Sequence, residues 1–129
     1  MIVDTSAIVA VVLAEEHAPT LIARLDEADD VGVGAPALLE AGMVLTSRST
    51  DGAALVRRFL TDADAVVIAF GAFHWPAAVD AFRRYGKGRH PAALNLGDCL
   101  TYAIAKLAQQ PLLCLGDDFA QTDLEVVAL

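Results

Sequence analysis

Five acidic side chains stand where this sequence changes its local character. Asp4 ends the short apolar run Ile2–Val3, Glu40 falls inside a stretch of helical periodicity, Asp98 follows Asn95 by three residues, and Asp117 and Asp118 come directly after the apolar run 112–115. Each has an ordinary structural reading. Asp4 can cap a helix that starts near Ser6, Asn95 and Asp98 can form a cap with an acidic N3 partner, Gly-Asp-Asp is common turn chemistry, and Glu40 can project into solvent. Glu40 nevertheless has Pro36, Ala37, Met43 and Val44 one turn away and no basic residue among them, so burying it on that face requires a partner. Taken together, the acids suggest more than their separate readings do. Clustered carboxylates repel near neutral pH unless some protonate or a cation sits among them. Hard oxygen donors at that charge density suit Mg²⁺ or Mn²⁺, and such ions polarise a phosphodiester and generate hydroxide from bound water. The chemistry indicated is metal-assisted phosphoester hydrolysis.

For that chemistry the acids must be gathered in one place. Ile2 and Val3 are β-formers, and the apolar stretch 7–14 after Ser6 reads as a helix. Ala18, Leu21, Ile22, Leu25 and Ala28 recur at helical spacing, and 31–34 is a short strand candidate. Pro36 suits the first turn of a helix that runs to about Ser47. Thr50 or Asp51 can cap the next, which turns Leu55, Val56, Phe59 and Leu60 inward. The run 65–70 is the clearest strand, and 76–85 is helical, with Gly86 as its stop. An irregular connection over 87–96, broken by Gly88 and Pro91, leads to a helix over 97–108 that ends before Pro111. A strand over 112–115, a loop over 116–123 with one helical turn, and a last strand over 125–129 complete the pattern. Strands alternate with helices, which predicts parallel α/β layering. In such sheets, strand C-terminal ends and the following helix N-termini open into one crevice, and all the acids belong to that edge.

The 129 residues, of which 56% are hydrophobic, suffice for one domain over 1–129 with a single substantial core. No apolar run approaches the roughly 20 residues of a membrane span. Asp4 stands where a signal peptide would carry basic residues, so the expected location is the cytoplasm. Cys99 and Cys114, both flanked by apolar residues, read as buried hydrophobes rather than as a disulfide or metal pair. A net charge of −8 argues against binding nucleic acid through overall charge. Yet Arg83, Arg84, Lys87 and Arg89 lie with His90 in a stretch without acids between Asp80 and Asp98, a local positive edge suited to phosphates. His74 and Trp75 read as packing at a helix start. Tyr102, one turn beyond Asp98, either lines the pocket or packs in the core. Val9, Val12 and Leu13 are either core or a face for an amphipathic partner segment.

The segments 1–7 (MIVDTSA), 38–41 (LLEA), 85–90 (YGKGRH), 94–99 (LNLGDC) and 116–123 (GDDFAQTD) resemble, in order and spacing, those of the PIN-domain nucleases. The similarity is greatest to the VapC toxins of VapBC toxin–antitoxin pairs and covers essentially the whole chain. It implies a three-layer α/β/α sandwich around a central four- or five-stranded, mainly parallel sheet. It also implies a Mg²⁺-dependent endoribonuclease, with Mn²⁺ as the alternative ion, that cuts RNA by metal-activated water, is silenced by a VapB-type antitoxin, and forms a homodimer. By position, Asp4, Glu40 and Asp98 match the three principal acids and Asp118 the fourth, while Asp117 falls on a variable position. Thr5 or Ser6 resembles the hydroxyl that assists the first acid, and Asn95 a recurrent polar neighbour of the site. Where many relatives carry Ser or Thr before the Glu, this chain has Ala35, Pro36 and Ala37.

Two other readings make different demands. A PIN-fold binding module that acts mainly through its antitoxin would tolerate loss of the acids, and they are present. A phosphate-accepting receiver domain wants an acidic pair after its first strand and a Lys after a late one, whereas Asp4 stands alone and Lys106 lies within a helix.

Overall fold

The computed structural model describes residues 1–49 and 51–129; Thr50, one of the two expected helix caps, lies outside the described residues. The chain runs β1 (Ile2–Val3), α1 (Thr5–Val12), α2 (Ala18–Asp26), β2 (Gly32–Gly34), α3 (Ala35–Arg48), α4 (Gly52–Asp62), β3 (Val66–Ile68), α5 (His74–Tyr85), α6 (Leu96–Ala108) and β4 (Leu112–Leu113), followed by a single 3₁₀ turn, Phe119–Gln121. All strand pairings are parallel and the sheet order is β3-β2-β1-β4. The chain therefore winds outward from β1 through β2 to β3, then returns through α5 and α6 to the other flank of β1. That reversal places a crevice at the C-terminal ends of β1 and β4, where open parallel sheets bind ligands.

Strand alternation divides the core in two. Val3, Val33 and Leu113 pack with Ala7, Ile8, Leu21, Leu45 and Phe59 of α1 to α4, whereas Ile2 and Leu112 pack with Ala81, Tyr102, Ile104 and Phe119 on the α5/α6 side. This is the three-layer sandwich. Each fully buried Val, Leu or Ile contributes about 1.5–3 kcal/mol through burial. Strand β2 lies close beneath α6: a Cβ on Gly34 would meet Ile104 Cγ1 at 3.0 Å.

Local chemistry sets the helix ends. Asp4, in extended conformation, caps α1 by accepting from Ser6 N at 2.9 Å, so the helix starts at Thr5 rather than beyond Ser6. Asp51 caps α4 through Ala54 N, and Pro36 occupies the first turn of α3. Helix α5 begins at His74, two residues before the expected start, because Pro76 needs no amide partner in a first turn. Asn95 and Asp98 form a reciprocal capping box at α6.

Three strands are shorter than their β-rich sequences suggest, among them 112–115, which yields only Leu112–Leu113. The run 65–70 yields only Val66–Ile68, an edge strand with Val66 64% exposed. The stretch 125–129 makes a single bridge, Leu112 to Val126. β-propensity does not distinguish a central strand from an edge strand, nor a strand from one extended contact.

Candidate active site

The crevice is built from the ends of β1 and β4, the start of α6 and the second turn of α3. Asp4 leaves β1 and is 7% exposed. Its Oδ2 accepts from Ser6 N at 2.9 Å and from Ser6 Oγ at 2.6 Å, and that same hydroxyl accepts from Leu115 N at 3.0 Å. Ser6 thus ties the end of β1 to the end of β4 while orienting the first acid. Thr5 serves a different carboxylate. Its Oγ1 donates to Glu40 Oε2 at 3.1 Å, which holds an otherwise exposed Glu40 on α3 against the crevice. The Ala35–Pro36–Ala37 stretch offers Glu40 no hydroxyl, and Thr5, reaching across from α1, supplies one.

Asp98 stands half-buried in the first turn of α6, where the helix dipole favours its charge. Its Oδ2 accepts from Asn95 N at 2.9 Å, and Asn95 Oδ1 accepts from Asp98 N at 3.0 Å. Burial first, then the charges of Asp4, Asp118 and Glu40, push its carboxyl above the ordinary range, against the Asn95 hydrogen bond that lowers it. The carboxylates expected to meet are therefore electrostatic neighbours. Asp118, at the head of the 3₁₀ turn, belongs to this group. Asp117 is exposed, and its carbonyl accepts from Gln121 Nε2 at 3.3 Å. Beneath them lies the Cys114 thiol, 3% exposed and pushed up to about 12 by burial and by Asp4, Asp118 and Asp98. Both cysteines are free and buried.

Among the described residues, no three His, Cys, Asp or Glu side chains stand close enough to hold an ion as they are. Like charges keep apart, and a cation among them is what would draw them in. The donor set fits such a guest: all oxygen, highly charged, at a helix start and two strand ends. Gly97 adds a cradle that sequence reading did not identify, since a Cβ there would lie 2.6 Å from Glu40 Oε2. Its position beside Asp98 was the available signal.

The basic stretch divides. The loop after α5 closes through Lys87 N to Leu94 O and Leu94 N to Tyr85 O, 3.0 Å each, and so leads straight into the N-terminal end of α6. Lys87 and Arg89 are exposed there, with the Arg89 guanidinium over the Phe82 ring. His90 Nδ1 accepts from Ala92 N, and the ring meets Tyr85 edge-on. Arg83 and Arg84 turn elsewhere: Arg83 pairs with Asp80 at 2.7 Å, and Arg84 reaches Tyr85, Tyr102 and Asp123. Tyr102 is 2% exposed and belongs to the core, its hydroxyl bonded to Asp123.

Residues 1–125, which carry this parallel sheet and the acids at its reversal, match the PIN domain family model. The chain is 50% identical over 127 residues to Ribonuclease VapC36 of Mycobacterium tuberculosis, covering 97% of this chain and 91% of that one. It is 42% identical over 126 residues to Ribonuclease VapC42 of the same species, covering 96% of each. Its fold matches the crystal structure of Mycobacterium tuberculosis VapC20, described as a sarcin-ricin loop cleaving toxin, at a TM-score of 0.79 and 15% identity over 98% of this chain and 97% of that one. A toxin-antitoxin complex from Klebsiella pneumoniae matches at 0.73 and 15% identity over 98% of this chain and 95% of that one. The chain belongs to the PIN-domain family, among the VapC ribonucleases. A divalent-metal requirement comes with that family.

Proposed function

We propose that this chain, as one PIN domain over residues 1–129, is the toxin of a toxin–antitoxin pair and hydrolyses RNA phosphodiester bonds with Mg²⁺, Mn²⁺ being the alternative ion. The observation that carries this is a crevice where carboxylates from separate elements are each held by a hydrogen bond, Asp4 by Ser6, Glu40 by Thr5 and Asp98 by Asn95, in a chain 50% identical to a VapC ribonuclease. Asp4 and Asp98 would hold the principal ion, with Glu40 and Asp118 binding directly, through water or at a second ion. A bound divalent ion supplies an activated water and a polarised phosphate. The side chains around it do the rest. Ser6 fixes the rotamer of Asp4, Thr5 that of Glu40, and Asn95 that of Asp98. Lys87 and Arg89, on the adjoining rim, receive RNA phosphates, with His90 shaping their loop. Cleavage by water leaves 5′-phosphate and 3′-hydroxyl ends, and the cytoplasm is where the toxin meets its RNA.

A VapB-type antitoxin silences it. Supporting this is an apolar groove of about 350 Å³ between α1, α2 and α4, lined by Val11, Val12, Ile22, Leu25, Leu55 and Phe59 and bordered by Asp26 and Asp62. Arg58 also lines it and pairs with Asp62 at 3.4 Å, and the groove suits the apolar face of an amphipathic segment. Homodimerisation is supported by exposed apolar side chains on α5, where Trp75, Val79 and Phe82 share one face. The test is cleavage of total RNA by the purified chain, with and without Mg²⁺, followed by 5′-end mapping. The expected result is Mg²⁺-dependent cuts bearing 5′-phosphates that disappear in Asp4→Asn; undiminished cleavage by that variant overturns the assignment.

A further inference from the structure

Outside the acid cluster, Asp123 accepts from three side chains on two helices. Its Oδ1 accepts from Tyr102 Oη at 2.7 Å, and its Oδ2 accepts from Lys106 Nζ at 2.9 Å and from Arg84 Nη2 at 3.3 Å. Arg84 also donates to Tyr85 Oη at 2.6 Å. Three parts of the fold meet here: the segment that carries Asp118, the helix α6 that carries Asp98, and the end of α5 that leads into Lys87 and Arg89.

We propose that Asp123 is a positioning residue that sets Asp118 against Asp98 for the divalent ion; this rests on the ribonuclease reading above. The chain leaves β4 at Leu113, turns through Gly116 at φ +87, and returns to the sheet only at the Leu112 to Val126 bridge. Between those fixed ends, Asp118 heads a 3₁₀ turn whose Phe119 is buried, 3% exposed, in the α5/α6 core. Apolar burial is non-directional, so it fixes how deep the loop sits and not how it is turned. Asp123 supplies the directional bonds. They run to Tyr102 and Lys106, one and two turns beyond Asp98 on the same helix, so the loop is held against the element that carries the partner acid. An amide at 123 keeps the shape but loses the charge-assisted bonds to two cations.

Mn²⁺ binding to the full chain, followed by electron paramagnetic resonance of the free aqueous ion, tests this alongside RNA cleavage as a function of Mg²⁺. In Asp123→Asn, Mn²⁺ affinity falls and the half-saturating Mg²⁺ concentration rises by about tenfold, the usual scale for an outer-shell partner. KM for RNA stays within about twofold. In an Asp118→Asn background, the same substitution costs nothing further, because its effect passes through Asp118. Tyr102→Phe removes one of the bonds, retains the ring, and shows a smaller shift in the same direction; it carries the test if Asp123→Asn does not fold. Unchanged Mn²⁺ affinity in both variants, or an equal loss with and without Asp118, overturns the positioning role alone. A wild-type chain that neither binds Mn²⁺ nor cleaves RNA overturns the ribonuclease reading instead, and this role with it.

Discussion

Asp98 serves two purposes at once, because the bond that caps α6 leaves the rest of its carboxylate among acids that oppose its charge. A carboxyl raised in the folded state makes its ionised form a liability: the stabilising protonated form prevails below the unfolded value and is lost as pH rises through the raised one. Asp98→Asn keeps an acceptor for Asn95 N and removes the charge. Without metal it should therefore melt a few degrees above wild type at pH 7, with the gain vanishing below about pH 4. Cleavage should fall on the order of a hundredfold or more, and added Mg²⁺ should stop raising the melting temperature. Calorimetry across pH, paired with the RNA assay, checks all three. Gly97→Ala separates the same quantities differently. The new methyl meets the movable Glu40 carboxylate at 2.6 Å, while a helical Gly replaced by Ala contributes roughly 0.5–1 kcal/mol. Stability holds or improves and metal affinity drops. Capping and ligation looked like alternatives in the sequence, yet at Asp4 and Asp98 one oxygen caps, and carboxylates have lone pairs left over.

At the scale of elements, α6 and the 116–124 loop form the working unit. Neighbouring cations and the Tyr102 hydroxyl hold the Asp123 carboxyl well below its usual range against partial desolvation. Stability from this pair of elements is therefore present above the unfolded carboxylate pKa of about 3.9 and lost as pH falls below it. Melting curves of wild type and Asp123→Asn should differ at pH 7 and converge towards pH 2; a constant gap at all pH values contradicts the assignment. Helix positions were readable because periodicity, Pro36, Gly86 and the Asn95 cap agree with one another. The network around Asp123 was not. Its members, Arg84, Tyr102, Lys106 and Asp123, are spread over the last third of the chain, and only the packing of α5 against α6 brings them together. Arg84 reads in the sequence as part of the basic edge, because sequence shows a charge and not its partner.

For the whole molecule, the net charge of −8 means that RNA must approach a body that repels it, through a small basic rim. Replacing Lys87 and Arg89 by Ala should raise KM for RNA and flatten the salt dependence of binding by roughly two units of log–log slope, with kcat preserved. The fold class and the crevice were legible because strands and helices alternate and the acids fall at element ends. What sequence could not supply was which oxygen each hydroxyl serves: Thr5 and Ser6 are adjacent, yet one orients Glu40 and the other Asp4. The central claim is that carboxylates from four separate elements share one divalent ion. Anomalous diffraction at the manganese edge, from crystals grown with Mn²⁺, tests it most directly. A manganese peak bound by Asp4 and Asp98, with Glu40 and Asp118 in its coordination sphere or one water away, is the expected result; Mn²⁺ bound elsewhere, with these carboxylates still apart, rules the shared site out.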